Sequence, residues 1–213
     1  MGTKVIIKDF SKVEYFINSL DKIIDTMYDC QGTINSSYNR VGDWDDIVFI
    51  TTGNLLTETT MAIKDFGEYL GDKMLVLNSY CRHVYCNYAE YKEWSGKFKS
   101  ESERNLSAVI NVKEKSMVEG IFGTTAEGII SFERQLSKYI EKTENNVNDI
   151  IKQINNVGDY WCDDNYKKTQ DIIAGFKKDM YQCLEDLKTL LSYIEKRRKE
   201  LEASEDILKN YGN

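Results

Sequence analysis

Val41-Gly42-Asp43-Trp44-Asp45-Asp46 returns, with one residue inserted, as Val157-Gly158-Asp159-Tyr160-Trp161-Cys162-Asp163-Asp164. Each copy ends one long heptad-like apolar pattern and opens another, so each reads as the bend of a helical hairpin. Gly42 and Gly158 can take the left-handed conformation that ends a helix. Asp43, Asp45, Asp159 and Asp163 suit the N-cap and the positive end of the helix that follows. Trp44 and Trp161 then lie across the tips, either as plugs burying one ring face or as part of a recognition surface. The candidate partner-binding tips are Gly42, Trp44 and Asp46 in the first copy and Gly158, Trp161 and Asp163 in the second.

Outward from the first bend, Ser11-Lys12-Val13-Glu14 has capping-box spacing and predicts a helix start. Val13, Phe16, Ile17, Leu20, Ile23, Ile24, Met27 and Ile34 follow in steps that put them on one face. Gly32 and Ser36-Ser37 weaken the pattern late and leave room for a kink. Ahead of this helix, Val5, Ile6 and Ile7 read as a strand-like N-terminal arm. The second helix carries Leu55, Leu56, Ile63, Phe66, Leu70, Met74, Leu77 and Val84, and is expected to end between Tyr91 and Trp94. Its glycines, Gly53, Gly67 and Gly71, mark either close helix contact or a bend.

Residues 95–124 read as a connector. Ser100-Glu101-Ser102-Glu103 has capping-box spacing, and Leu106, Val109, Ile110, Met117 and Val118 suggest a short helix. A further capping box, Thr124 to Glu127, opens a third helix with Ile129, Phe132, Leu136, Tyr139, Ile140, Val147, Ile150, Ile151 and Ile154 on its apolar face. The fourth carries Ile172, Ile173, Phe176, Met180, Cys183, Leu187, Leu190, Leu191, Ile194 and Leu201, and runs to about Asn210.

The two halves match beyond the bends. An offset of 116 pairs Phe16 with Phe132, Leu20 with Leu136 and Ile24 with Ile140; past the inserted Tyr160 an offset of 117 pairs Ile63 with Met180 and Leu70 with Leu187. This reads as an internal duplication. Each hairpin has an apolar stripe that it cannot bury alone, and two such hairpins close a four-helix bundle. The expected fold is all-α: two tandem long helical hairpins, residues 1–94 and 125–213, packed with coiled-coil-like periodicity and joined by a connector with a short helix. The direction in which they pack stays open.

Composition narrows the function. There is no proline in 213 residues, which fits few, long helices. A net charge of −7 argues against a nucleic-acid partner, and no apolar run reaches the ~20 residues of a membrane span. Met1 to Phe10 lacks the basic start and apolar run of a signal peptide. The five scattered cysteines suggest reduced thiols rather than a disulfide framework. A cytoplasmic location is expected, or export without a signal peptide. His83, the only histidine, sits between Cys81 and Cys86. On a helix positions 81 and 83 point about 200° apart, so neither a metal site nor a Cys–His nucleophile is expected. No catalytic residue, metal ligand or cofactor is predicted, and the chain reads as non-enzymatic. Tyr80, Tyr85, Tyr88 and Tyr91 form either a protein-binding face or amphipathic packing at a bundle end.

The bend tryptophans and the hairpin lengths resemble the WXG family, small helical hairpins of bacterial type VII secretion whose members pair into four-helix bundles. The matching positions are Trp44-Asp45-Asp46 and Trp161-Cys162-Asp163, with aspartate where the family has glycine. The resemblance implies a fused pair that acts by protein–protein binding, with a secretion component or a cargo protein as partner. The family's Tyr-x-x-x-Asp/Glu spacing occurs at Tyr160–Asp164 and Tyr181–Glu185, at a bend and within a helix. A literal Trp94-Ser95-Gly96 is either coincidence or a displaced bend. The other reading is a cytosolic structural or adaptor protein with no role in secretion.

Overall fold

The computed structural model describes residues 5–41, 47–88, 93–110 and 126–211. Four helices account for most of them: α1 (Phe10–Arg40), α2 (Ile47–Tyr88), α3 (Ala126–Val157) and α4 (Asp164–Tyr211). They form a four-helix bundle in which α1 packs on α2 and α3, and α4 packs on α2 and α3. Phe16 meets Trp161 just past the end of α3, while Tyr38 meets Phe132 near its start. Phe66 of α2 stacks on Phe176 of α4 at 3.8 Å between centroids. Every neighbouring pair is therefore antiparallel, and the two inter-helix bends lie at opposite ends of the bundle.

The repeated pattern is a repeated burial pattern. Val13, Phe16, Leu20, Ile24, Ile34 and Val41 are buried, and so are their counterparts 116 residues on: Ile129, Phe132, Leu136, Ile140, Ile150 and Val157. Past the inserted residue, Thr52 and Thr169, Leu56 and Ile173, and Ile63 and Met180 are likewise buried in pairs. In α4 the position turned inward is Leu184 rather than the half-buried Cys183.

The apolar core is in two clusters, each drawing on all four helices. Between them lies a polar layer. Gln31, Thr59 and Thr143 are fully buried at the point where each of their helices passes from one cluster to the other. The Gln31 amide donates to Asn35 Oδ1 at 2.8 Å and to the Leu56 carbonyl at 3.1 Å, and the Tyr139 hydroxyl donates to Gln31. Gln31, Thr59 and Tyr139 are tolerated here because their polar groups are paired, whereas the buried Thr143 hydroxyl makes no hydrogen bond among the described residues.

Three local expectations are corrected. The cap of α1 is Asp9, which accepts from the amides of Ser11 and Lys12; Ser11 is already helical and Glu14 is engaged elsewhere. α1 runs unbroken past Gly32 to Arg40. Gly158 does not sit in the left-handed region. A Cβ there would lie 2.4 Å from the Tyr166 hydroxyl, so the glycine serves close packing, and the chain turns through bonds from Tyr160 and Trp161 amides to the Val157 carbonyl. In the connector, the Ser100–Glu103 capping box is present, but it caps a single 3-10 turn, Glu101–Glu103, and residues 104–110 are not helical.

Candidate functional site

Two assemblies of side chains stand out: a buried corner at the second bend, and a segment laid along α1. At the corner, Trp161 is 1% exposed. Its ring packs on Phe16 and Tyr166 at 6.1 and 5.6 Å between centroids, and its indole N–H donates to Asp163 Oδ2 at 3.0 Å. The other oxygen of Asp163 accepts from the amides of Asn165 and Tyr166, capping α4 as its position predicts. Oδ2 also accepts from the Ile6 amide at 3.2 Å. The N-terminal arm completes the corner: Ile7 pairs with Trp161 in an antiparallel bridge, with Lys8 donating to the Tyr160 carbonyl and Cys162 to that of Ile6. One carboxylate thus joins the arm, the bend and α4.

The second assembly uses residues 94–109. Trp94, Gly96 and Phe98 are buried and Ser95, Lys97 and Lys99 exposed, the alternation of an extended strand. This extended segment runs along α1 and pairs with no strand among the described residues. Its amides are received by side chains of that helix: Ser95 by Glu14, Lys97 by Asn18 at 2.8 Å and Lys99 by Asp21 at 2.8 Å. The Lys99 ammonium pairs with Asp25 at 2.6 Å. Arg104, whose side chain is 1% exposed, pairs with both Asp21 and Asp25 and lies over the Phe98 ring at 5.1 Å. Farther along, the Asn35 and Asn39 amides donate to the carbonyls of Ala108 and Val109. Gly32 gives clearance here, since a Cβ would meet Ser107 Oγ at 2.0 Å.

The α1 residues involved are Glu14, Asn18, Asp21, Asp25, Gly32, Asn35 and Asn39, a heptad stripe in steps of three and four with one full heptad between Asp25 and Gly32. Two extended residues advance ~6.6 Å while 3.5 helical residues advance ~5.3 Å, so amide-to-side-chain register holds for only a few rungs. The 3-10 turn takes up the slack. α2 supplies the opposite wall. Asn78 accepts from the Trp94 indole at 2.7 Å, Trp94 also packs on Tyr85, and Gly71 lies under Phe98. The other α2 glycines receive rings of α1, Tyr38 over Gly53 and Tyr28 over Gly67.

Beyond these, α2 exposes Met61, Tyr69, Val76 and Tyr80. Val76 and Tyr80 border a cleft of about 560 Å³ between α2 and α4 that Val5 and Trp161 also line.

The predicted residues are therefore divided. Trp161 and Asp163 come together and are buried, and the half-buried Gly158 packs against Tyr166 beside them. Tyr80 and Tyr88 are exposed, but Tyr85 is packed between Phe10 and Trp94. Gly42, Trp44, Asp46 and Tyr91 lie outside the described residues, as does the Thr124 cap. His83 is exposed beside Asn87, and among the described residues no three His, Cys, Asp or Glu side chains converge as metal ligands. Burial pushes the Cys81 thiol up to about 12, with the Asp163 and Glu14 charges adding to it. No protein-family model, characterised protein or solved structure matches this chain.

Proposed function

We propose that this chain is a non-catalytic binding protein, a fused pair of WXG-type hairpins that engages a protein partner in bacterial type VII secretion. The observation that supports it is the bundle itself. Two hairpins in one chain bury each other's apolar stripes, with their bends at opposite ends. What a separate subunit would cover is already covered, so the faces left for recognition are the outer ones. Those carry exposed apolar side chains at Tyr69, Val76, Tyr80 and Tyr88. Single exposed apolar residues are ordinary, but several along one helix are the composition of a contact surface.

The test is fractionation of the encoding bacterium with and without the secretion ATPase, following this chain and the proteins that co-purify with it. Export, or a partner set that includes a secretion component or its cargo and changes when the ATPase is lost, is expected. An identical location and partner set in both strains would favour the adaptor reading and sink the assignment to secretion.

A further inference from the structure

We propose that the trough between α1 and α2 is a binding site for extended peptide segments, filled in this structure by the chain's own residues 94–104. The inference rests on the binding reading above but not on its assignment to secretion.

Three observations carry it. The first is how the trough reads its occupant. Glu14, Asn18 and Asp21 receive main-chain amides, which any non-proline segment offers, so they recognise extension rather than sequence. The second is that selectivity is supplied separately. Asn78 fixes the indole of one aromatic, and the second, four residues on, packs between Gly71 and the Arg104 guanidinium; the buried Gly96 between them has no room for a Cβ, which would lie 2.7 Å from Asn78 Oδ1. The Asp21–Asp25 pair then takes a guanidinium in a nearly dry setting. The implied ligand is an extended segment with aromatic, small and aromatic residues at alternate positions, followed by basic residues.

The third observation is that the bundle does not need an inserted segment to close a hairpin. The positions of α3 equivalent to Glu14, Asn18, Asp21 and Asp25 are Ile130, Arg134, Ser137 and Glu141. There α3 and α4 join directly, through Tyr181 with Asn148 and Lys188 with Glu144. One hairpin is zipped by its own side chains; the other carries a row of acceptors and a guest. The guest is covalently attached and present at high effective concentration, so a free peptide enters only where the guest has been loosened.

The experiment uses the full chain with Trp94→Ala and Phe98→Ala, which remove the guest's two ring contacts and leave the trough intact. A labelled peptide carrying the sequence of residues 93–106 is titrated against it and against the unaltered chain. Saturable one-to-one binding is expected, at least tenfold tighter to the doubly substituted chain. It should weaken at least tenfold when the peptide carries Arg104→Ala. A folded variant that shows no saturable binding, or binding indifferent to the arginine, overturns the proposal. If the variant loses its helicity, hydrogen exchange on the unaltered chain decides instead. Amides of Ser95, Lys97 and Lys99 should exchange faster than those of the facing turns of α1; exchange only through global unfolding would show a fixed structural element and overturn the idea. A failed peptide titration leaves the fractionation result untouched, and the reverse.

Discussion

At the residue scale, Asp163 is the most connected side chain of the second bend. Asp163→Ala leaves the Trp161 indole without its acceptor, uncaps α4 and frees the Ile6 amide. A loss of about 2–4 kcal/mol is expected in chemical denaturation, while Asp163→Asn, itself a good cap, should lose less. Trp161→Ala should cost about 3–5 kcal/mol, because the ring is buried among Phe16 and Tyr166. Any effect of Trp161→Ala on partner binding should follow that loss of stability. Thiol reactivity gives an independent check. Exposed Cys86 should react rapidly, and buried Cys81, whose thiol is held neutral, only on unfolding. Asp163 as a cap was legible because an aspartate at a break before a periodic run has few other uses. The Ser11–Glu14 box misled because Asp9, two residues earlier, fits the same role, and nothing local shows that Glu14 is taken by Ser95.

At the scale of elements, the segment beside α1 should be held best at intermediate pH. Bonds from the Ser100 amide and hydroxyl hold the Glu103 carboxyl below its usual range. Its contribution is present above the unfolded value of about 4.3 and is lost as pH falls through the lower folded value. The Lys99 ammonium is raised by its hydrogen bond to Asp25. Its contribution is present below about 10.4 and is lost as pH rises through the higher folded value. The indole N–H resonance of Trp94, bonded to Asn78, should therefore shift toward that of free tryptophan at the acid extreme, before helical content falls. A resonance that moves only with global unfolding would count against this. The signals for this element were present in the sequence. Trp94, Gly96 and Phe98 alternate with period two, and α1 carries a polar stripe in heptad steps. A search for apolar periodicity passes over both, because the first is short and the second is hydrophilic.

At the scale of the molecule, burial pushes the Tyr28 and Tyr38 hydroxyls up to about 12, and the fully enclosed Tyr139 is raised by the same cause. The unfolded chain gives up these protons near pH 10, the folded chain later. Stability is thus intact below about 10 and declines as pH climbs toward 12. Spectrophotometric titration should show these tyrosines ionising together with the loss of helicity, after the exposed ones. Gln31→Leu should cost about 1–3 kcal/mol despite its added apolar surface, because it strands the Tyr139 hydroxyl. The four long helices, their approximate extents and the repeated burial were legible, since apolar spacing reports which face turns inward; the connector helix expected around Leu106, Val109 and Ile110 was a misreading, since residues 104–110 are not helical. Packing direction was not, because a heptad stripe reads the same from either end. It is settled by particular neighbours such as Phe16 with Trp161 and Tyr38 with Phe132.

That head-to-foot arrangement sets a minimum tether. Tyr88 lies just past the Phe10–Tyr85 contact and Ala126 well past the Tyr38–Phe132 contact, so the chain must travel about 55 Å between them before the second hairpin can begin. Fully stretched, about 16 residues suffice. Trimming the link below that number would leave each half unable to reach its own mate, and two copies should then trade halves into an intertwined pair of doubled mass.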